Sequence, residues 1–111
     1  MRDKDIPGLA MTRSMADSCG AQVGVIGVPE IKEYQIRSRE DKLVIIASDG
    51  VWEFVSNEDA GQILLPFADP KPDSKTTEGA GEALVKHSYM QWRKKGENQI
   101  DDITSVVLFL K

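Results

Sequence analysis

Leu43-Val44-Ile45-Ile46-Ala47-Ser48-Asp49-Gly50-Val51-Trp52-Glu53-Phe54 is the segment from which the architecture of this chain is best read. Its first five residues form an unbroken apolar run that stops at Ser48-Asp49-Gly50. A run this short, closed by Asp-Gly, reads as a strand buried on both faces, although periodicity alone does not separate it from a buried helix segment. The Asp49 carboxylate then stands at the end of a central strand, where the chain must turn. Gly50 permits that turn with either sign of φ. Strand ends of this kind are where folds place working groups.

Upstream, Glu30–Arg37 alternates, with Tyr34 and Ile36 on one face, which suits a half-buried strand. Ser38–Asp41 is a polar connection, so these two strands are expected to pair as an antiparallel hairpin. Residues 6–29 are rich in glycine and small side chains. They read as a structured loop region with at most a short helical turn around Met11–Asp17. Downstream, Val51–Val55 suits a single helical turn. Ser56 with Asp59 forms an N-cap pattern for a helix through Leu65, with Ala60, Ile63 and Leu64 as its apolar stripe.

Pro66, Pro70 and Pro72 predict a loop between helices. Thr77–Lys95 is helical in pattern. Ala80, Ala83, Leu84, His87 and Met90 lie on one face, with Val85, Tyr89 and Trp92 beside it. Arg93, Lys94 and Lys95 suit the negative end of the helix dipole, and Gly96 suits its stop. Ile103–Leu110 is strand-like, apolar on both faces from Val106 onward, and is expected beside Leu43–Ser48. The fold class that follows is α+β, a three-stranded, mainly antiparallel sheet with helices on one face. Residues 1–29 form its loop-rich segment and residues 30–111 its sheet and helices.

The chain has 111 residues, enough for one domain or a piece of one. Hydrophobic content of 41% and charged content of 29% suit a soluble globular chain. Net charge is −4, from 14 basic and 18 acidic residues. Without a basic block, nucleic acid is not expected as a partner. The acidic balance is compatible with carboxylates gathered around a cation, but charge alone favours a solvated acidic surface. The single cysteine, Cys19, allows no intramolecular disulfide and no thiolate metal site. It is expected to be a buried or half-buried filler in a reducing compartment. No secretory signal is read in the charged N-terminus, and Val106–Leu110 is too short to span a bilayer. An intracellular chain, cytoplasmic or nuclear and not membrane-bound, is expected.

Asp49 follows one buried strand and Asp101-Asp102 precede the other. If those strands are antiparallel neighbours, the two acidic sites converge. Paired carboxylates repel unless something cationic lies between them, and hard divalent cations take that kind of oxygen ligation. The plainer reading makes Asp49 a turn residue and Asp101-Asp102 loop caps. Spacing alone favours the plainer reading. Trp52 is expected to pack behind the Asp49 turn, and His87 to be a packed core histidine.

Four motifs, in order, carry a resemblance. Ser48-Asp49-Gly50-Val51-Trp52-Glu53 resembles the Asp-Gly-x-Trp-Asp motif of the metal-dependent serine/threonine protein phosphatases of type 2C. Pro7-Gly8-Leu9-Ala10-Met11-Thr12-Arg13-Ser14-Met15-Ala16-Asp17 is similar to the family's Gly-Leu-Ala-x-Ser-Arg-x-x-Gly-Asp segment. Pro29-Glu30-Ile31 is similar to its Pro-Glu-[Val/Ile] strand entry. Asp101-Asp102-Ile103-Thr104 is similar to its Asp-Asn-[Met/Ile]-[Thr/Ser] before the last strand. The resemblance covers essentially the whole chain but only the C-terminal part of the family's catalytic domain.

The resemblance implies part of an α/β-β/α sandwich. It also implies Mg²⁺ or Mn²⁺ as cofactor and phosphoserine- or phosphothreonine-bearing proteins as substrate. Asp49 and Asp101 match ligands of a binuclear centre whose cations activate a water for attack on phosphorus. Glu53 stands where many members carry an Asp associated with a further, weakly held metal. Asp102 replaces the usual Asn, and Ala16 a usual Gly. Arg13 and Asp17 match motif positions and are given a structural role as an i, i+4 pair.

The family's Asp-Gly-His-Gly motif, its upstream acidic ligand and its phosphate-binding Arg match nothing here; the one Asp-Gly is Asp49-Gly50 and the one histidine is His87. The expectation is therefore a partial phosphatase domain, inactive alone. Its absent half, or self-association, would cover apolar sheet surface. The alternative is a non-catalytic phosphatase-like interaction module.

Overall fold

The computed structural model describes residues 11–68, 72–95 and 99–110. Pro7–Ala10 of the first motif, Pro70 and the Gly96 stop lie outside these. The chain divides into two units, Met1–Gln35 and Ile36–Lys111.

In the first unit the backbones of residues 12–14 and 26 exchange two hydrogen bonds around an isolated parallel bridge between Arg13 and Ile26. Ser14 N–H donates to Ile26 O (3.1 Å) and Ile26 N–H to Thr12 O (3.2 Å). Between them runs a short helix, α1, Ser18–Ala21, which begins where the expected Met11–Asp17 turn would have ended. Asp17 caps it, its Oδ1 accepting from Gly20 N–H at 2.8 Å. The expected Arg13–Asp17 pair does not form, because that cap occupies Asp17. Arg13 instead pairs with Glu30 at 2.9 Å and donates to Val28 O at 3.0 Å. Ala16, in place of glycine, holds φ at 57°, a region that favours glycine. Cys19 is exposed, not a core filler, since the four-residue helix carrying it buries only Gly20.

The second unit contains two strands, β1 (Leu43–Ala47) and β2 (Ser105–Phe109), paired antiparallel from Leu43↔Phe109 to Ala47↔Ser105. The α+β class holds, but the sheet has two strands among the described residues, not three. Glu30–Arg37 forms no strand and no hairpin with β1. Alternation supplies a candidate face, but a strand also needs a paired edge and something to bury, and Tyr34 and Ile36 stay 65% and 55% exposed. Residues 37–41 close a compact turn instead. Glu40 and Asp41 N–H both donate to Arg37 O at 2.9 Å, and Arg37 pairs with Glu40 at 2.7 Å.

Both strands alternate between half-buried and exposed residues, so the sheet is covered on one side only, which corrects the expectation of burial on both faces. The covered side carries Leu43, Ile45, Ala47, Val107 and Phe109 against a core of Val51, Val55, Ala60, Leu64, Ala80 and Leu84.

That core comes from three helices and, through Val55, from the connection between the first two of them, with Phe67 of a 3₁₀ turn packed against it. Helix α2 is Asp49–Trp52, two residues earlier than the expected turn. Helix α3 is Asn57–Leu64, with Ser56 as N-cap: Ser56 Oγ accepts from Asp59 N–H at 3.1 Å. Ala60 and Leu64 are buried as the stripe requires, and Leu65–Phe67 continues as a 3₁₀ turn. Helix α4, Ser74–Lys95, packs on β2, α3 and α2. It starts three residues before the expected Thr77 because Asp73 accepts Thr76 N–H at 2.8 Å. Its buried seats are Ala80, Leu84 and Ser88, an i, i+4, i+8 line. His87 is only half-buried, bonded to Gln91 at 3.0 Å, and Met90 is exposed. Among the described residues no helix is long and apolar enough to cross a membrane.

Candidate functional site

The antiparallel register puts the C-terminal end of β1 beside the N-terminal end of β2, so Asp49 and the Asp101-Asp102 pair leave the sheet at the same end. Below Ala47↔Ser105 the ladder continues by one bond, Ser48 N–H to Thr104 O at 3.0 Å. The two segments then touch closely. Gly50 is buried, and a Cβ there would collide with the Asp102 carbonyl oxygen and come within 2.9 Å of its carbon. Gly50 sits inside α2 without a positive φ, so glycine is required for close approach and not for the turn angle.

Two indoles fix the carbonyls on either side of Asp49. Trp52 Nε1 donates to Ala47 O at 3.1 Å, which keeps the half-buried Trp52 folded behind the turn as expected. Trp92, reaching from α4, donates to Gly50 O at 2.7 Å while its ring meets Phe54 edge-on, centroids 4.7 Å apart. Lys95 Nζ lies 5.7 Å over the other partner of that pair, Phe54.

Asp49 and Asp101 are both exposed. Each uses one carboxylate oxygen on the next backbone N–H: Asp49 Oδ1 with Gly50 at 3.1 Å, and Asp101 Oδ1 with Asp102 at 2.8 Å. Neither forms an ion pair among the described residues. Their free oxygens are hard donors of the kind Mg²⁺ and Mn²⁺ prefer. Glu53 lies at the far end of α2, exposed, in a shallow cleft with Ser56, Asp59 and Lys95. Asp49, Asp101 and Glu53 do not come together as a group able to hold a metal ion. No three His, Cys, Asp or Glu side chains do so among the described residues. Two exposed carboxylates, Asp49 and Asp101, thus stand at one end of the sheet.

A cleft of ≈ 520 Å³ lies elsewhere, lined by Ala68, Pro72, Thr77 and the last residues of β2. It is at the opposite end of β2 from Asp101, and none of its lining side chains titrates. This cleft and the Asp49–Asp101 end of the sheet are therefore separate among the described residues. Sequence reasoning missed Ser48 and Trp92 as framing residues. A serine directly before Asp-Gly is a readable cap signal, whereas nothing local ties Trp92 to a carbonyl 42 residues away.

Comparison with known proteins places the chain in a family. The family model described as Protein phosphatase 2C matches residues 3–97. Probable protein phosphatase 2C 73 of Arabidopsis thaliana is 37% identical over 110 residues, covering 97% of this chain and 27% of that protein. Probable protein phosphatase 2C 48 of Oryza sativa subsp. japonica is 38% identical over 108 residues, covering 96% of this chain and 28% of that protein. Probable protein phosphatase 2C 18 of Arabidopsis thaliana is 39% identical over 110 residues, 98% of this chain and 20% of that protein. The chain thus spans between a fifth and a little over a quarter of these relatives. No solved structure matches it.

Proposed function

Because the chain belongs to the protein phosphatase 2C family, we propose that it is the C-terminal portion of a metal-dependent protein serine/threonine phosphatase, to which it contributes Asp49 and Asp101 as metal ligands. The observation that carries this reading is the β1–β2 register, which brings two exposed acidic segments to one end of the sheet. Both coincide with family motifs. Bound Mg²⁺ or Mn²⁺ supplies an activated water and charge stabilisation for hydrolysis of a phosphoserine or phosphothreonine ester.

This chain's own part is to hold two carboxylates on a rigid strand end. The Trp52 and Trp92 indoles and the bare Gly50 Cα fix the backbone between them. Glu53 stands further along α2 and is assigned a peripheral, longer-reach role. Two arms alone are too few for a binuclear centre, so the remaining ligands and the phosphate clamp are assigned to a complementary portion of the domain. In this reading the chain is inactive without it.

The test joins this chain to a type 2C portion carrying the Asp-Gly-His-Gly motif and follows Mn²⁺-dependent hydrolysis of a phosphothreonine peptide. Asp49→Asn and Asp101→Asn should each lower kcat/KM about 100-fold or more, since even outer-shell partners of a metal are worth 10–100-fold. Full activity in both variants would sink the assignment. A second reading, a non-catalytic interaction module, draws on the exposed apolar side of the sheet, where Ile46, Val106 and Leu108 face solvent. It predicts partner binding that survives Asp49→Asn.

A further inference from the structure

We infer that Ser48 is a positioning residue: its hydroxyl ties the Asp101-Asp102 arm to the Asp49 turn, so that both carboxylates reach one cation. The inference rests on the phosphatase reading above and names what sets the separation of its two ligands.

The evidence is how backbone groups are exchanged at the last rung of the sheet. In an antiparallel ladder the Ser48 N–H bond to Thr104 O should be answered by Thr104 N–H donating to Ser48 O. That carbonyl is already engaged, because it accepts from Val51 N–H at 3.0 Å and Trp52 N–H at 3.4 Å to open α2. Thr104 N–H donates instead to Ser48 Oγ at 3.1 Å, so the side chain takes the place its own carbonyl has vacated. The hydroxyl proton then goes to Asp102 O at 2.9 Å. One oxygen accepts from one side of the Asp102–Thr104 segment and donates to the other.

The diversion is unusual for a serine in this position. Ser48 is the N-cap of α2, where a serine oxygen ordinarily accepts from its own helix. Here it makes no such bond. The hydroxyl serves the sheet junction instead, directly between the residues that precede Asp49 and follow Asp101. Bare Gly50 lets the Asp102 peptide close in from the other side. The bonded groups of Asp102 and Thr104 are exposed to water. Removing the hydroxyl should therefore leave the fold intact and release the arm.

The test uses Mn²⁺ as a relaxation probe on the ¹⁵N-labelled 111-residue chain, comparing wild type, Ser48→Ala and Ser48→Thr. In the wild type the Asp49–Gly50 and Asp101–Asp102 amides should broaden with one common midpoint. In Ser48→Ala the two arms should separate, with the Asp101–Asp102 midpoint rising about 10-fold or more relative to that of Asp49–Gly50. Ser48→Thr, which keeps the hydroxyl, should restore the common midpoint. A common midpoint in Ser48→Ala, unchanged or shifted equally for both arms, overturns the inference and leaves the phosphatase reading standing. No broadening of either arm in the wild type also overturns the inference, while the phosphatase reading is decided by the joined-domain assay above. Should Ser48→Ala lose its amide dispersion, Ser48→Cys, near in size and a poor hydrogen-bond partner, makes the same comparison.

Discussion

Gly50 is the residue on which the geometry of the site is most sensitive to a single atom group. A methyl group there meets backbone, which cannot swing aside as a side chain can. In Gly50→Ala the helix-propensity gain of about 1 kcal/mol opposes an overpacking cost of roughly 1–3 kcal/mol. The expected outcome is a net loss of up to about 2 kcal/mol, read as a lower midpoint in urea denaturation. An unchanged midpoint would mean that the Asp102 peptide moves freely. Ser105 offers the opposite case. Its hydroxyl is buried beside Ala47 with no hydrogen-bond partner. An unsatisfied buried polar group costs about 1–3 kcal/mol, so Ser105→Ala should raise stability by up to about 1 kcal/mol after the lost packing. The Ser56 cap was legible from residue type and position, and so was the meeting of the Asp49 and Asp101 segments at one end of the sheet. The unsatisfied Ser105 was not, because only packing reveals which hydroxyls lack partners.

At the scale of elements, α4 is the beam against which the site is braced. It packs on β2 and α3 through Ala80, Leu84 and Ser88, and its last turn sends Trp92 to Gly50 O. Trp92→Phe keeps an aromatic ring near Phe54 but removes the indole donor. The expected cost is about 1–3 kcal/mol, that of leaving a part-buried carbonyl unpaired, with amide shift changes confined to residues 48–52. Shifts spread evenly along α4 would argue for a packing role alone.

The helix start is tuned by acid. Thr76 N–H and the Thr76 hydroxyl both bond the Asp73 carboxylate and hold its pKa below the ordinary Asp value. A carboxyl lowered on folding contributes stability above its unfolded pKa and loses it as pH falls through the folded value. Thr76 and Thr77 amide shifts should therefore titrate together below the ordinary Asp range, and Asp73→Asn should abolish that acid limb. The apolar periodicity of α4 was readable, but not its choice of seats. Ser88 is buried where His87 and Met90 were expected, because the contact line runs i, i+4, i+8 from Ala80.

For the second unit as a whole, the class and the β1–β2 pairing followed from the sequence because each strand carries a strong local pattern. The third strand did not materialise, because alternation in Glu30–Arg37 describes a candidate face and says nothing of a partner edge. Burial on both faces of β1 failed for a related reason: an apolar run shows what a strand tolerates, not how many layers cover it. A two-stranded ribbon is marginal by itself, so β1 and β2 draw their stability from the helices on the covered side.

The uncovered side presents Val44, Ile46, Val106 and Leu108 in two cross-strand pairs, with Ile46 68% exposed. Monomeric proteins rarely leave contiguous apolar patches unprotected, and both strands also offer an open edge. The 111-residue chain should therefore associate with rising concentration in sedimentation velocity. Ile46→Thr with Leu108→Thr keeps β-propensity and leaves the core-facing Ile45, Val107 and Phe109 in place. That double variant should remain folded and sediment as a monomer over the same range. If it associates as the wild type does, the open strand edges and not the apolar face carry the contact, and substitution along those edges becomes the way to separate the copies.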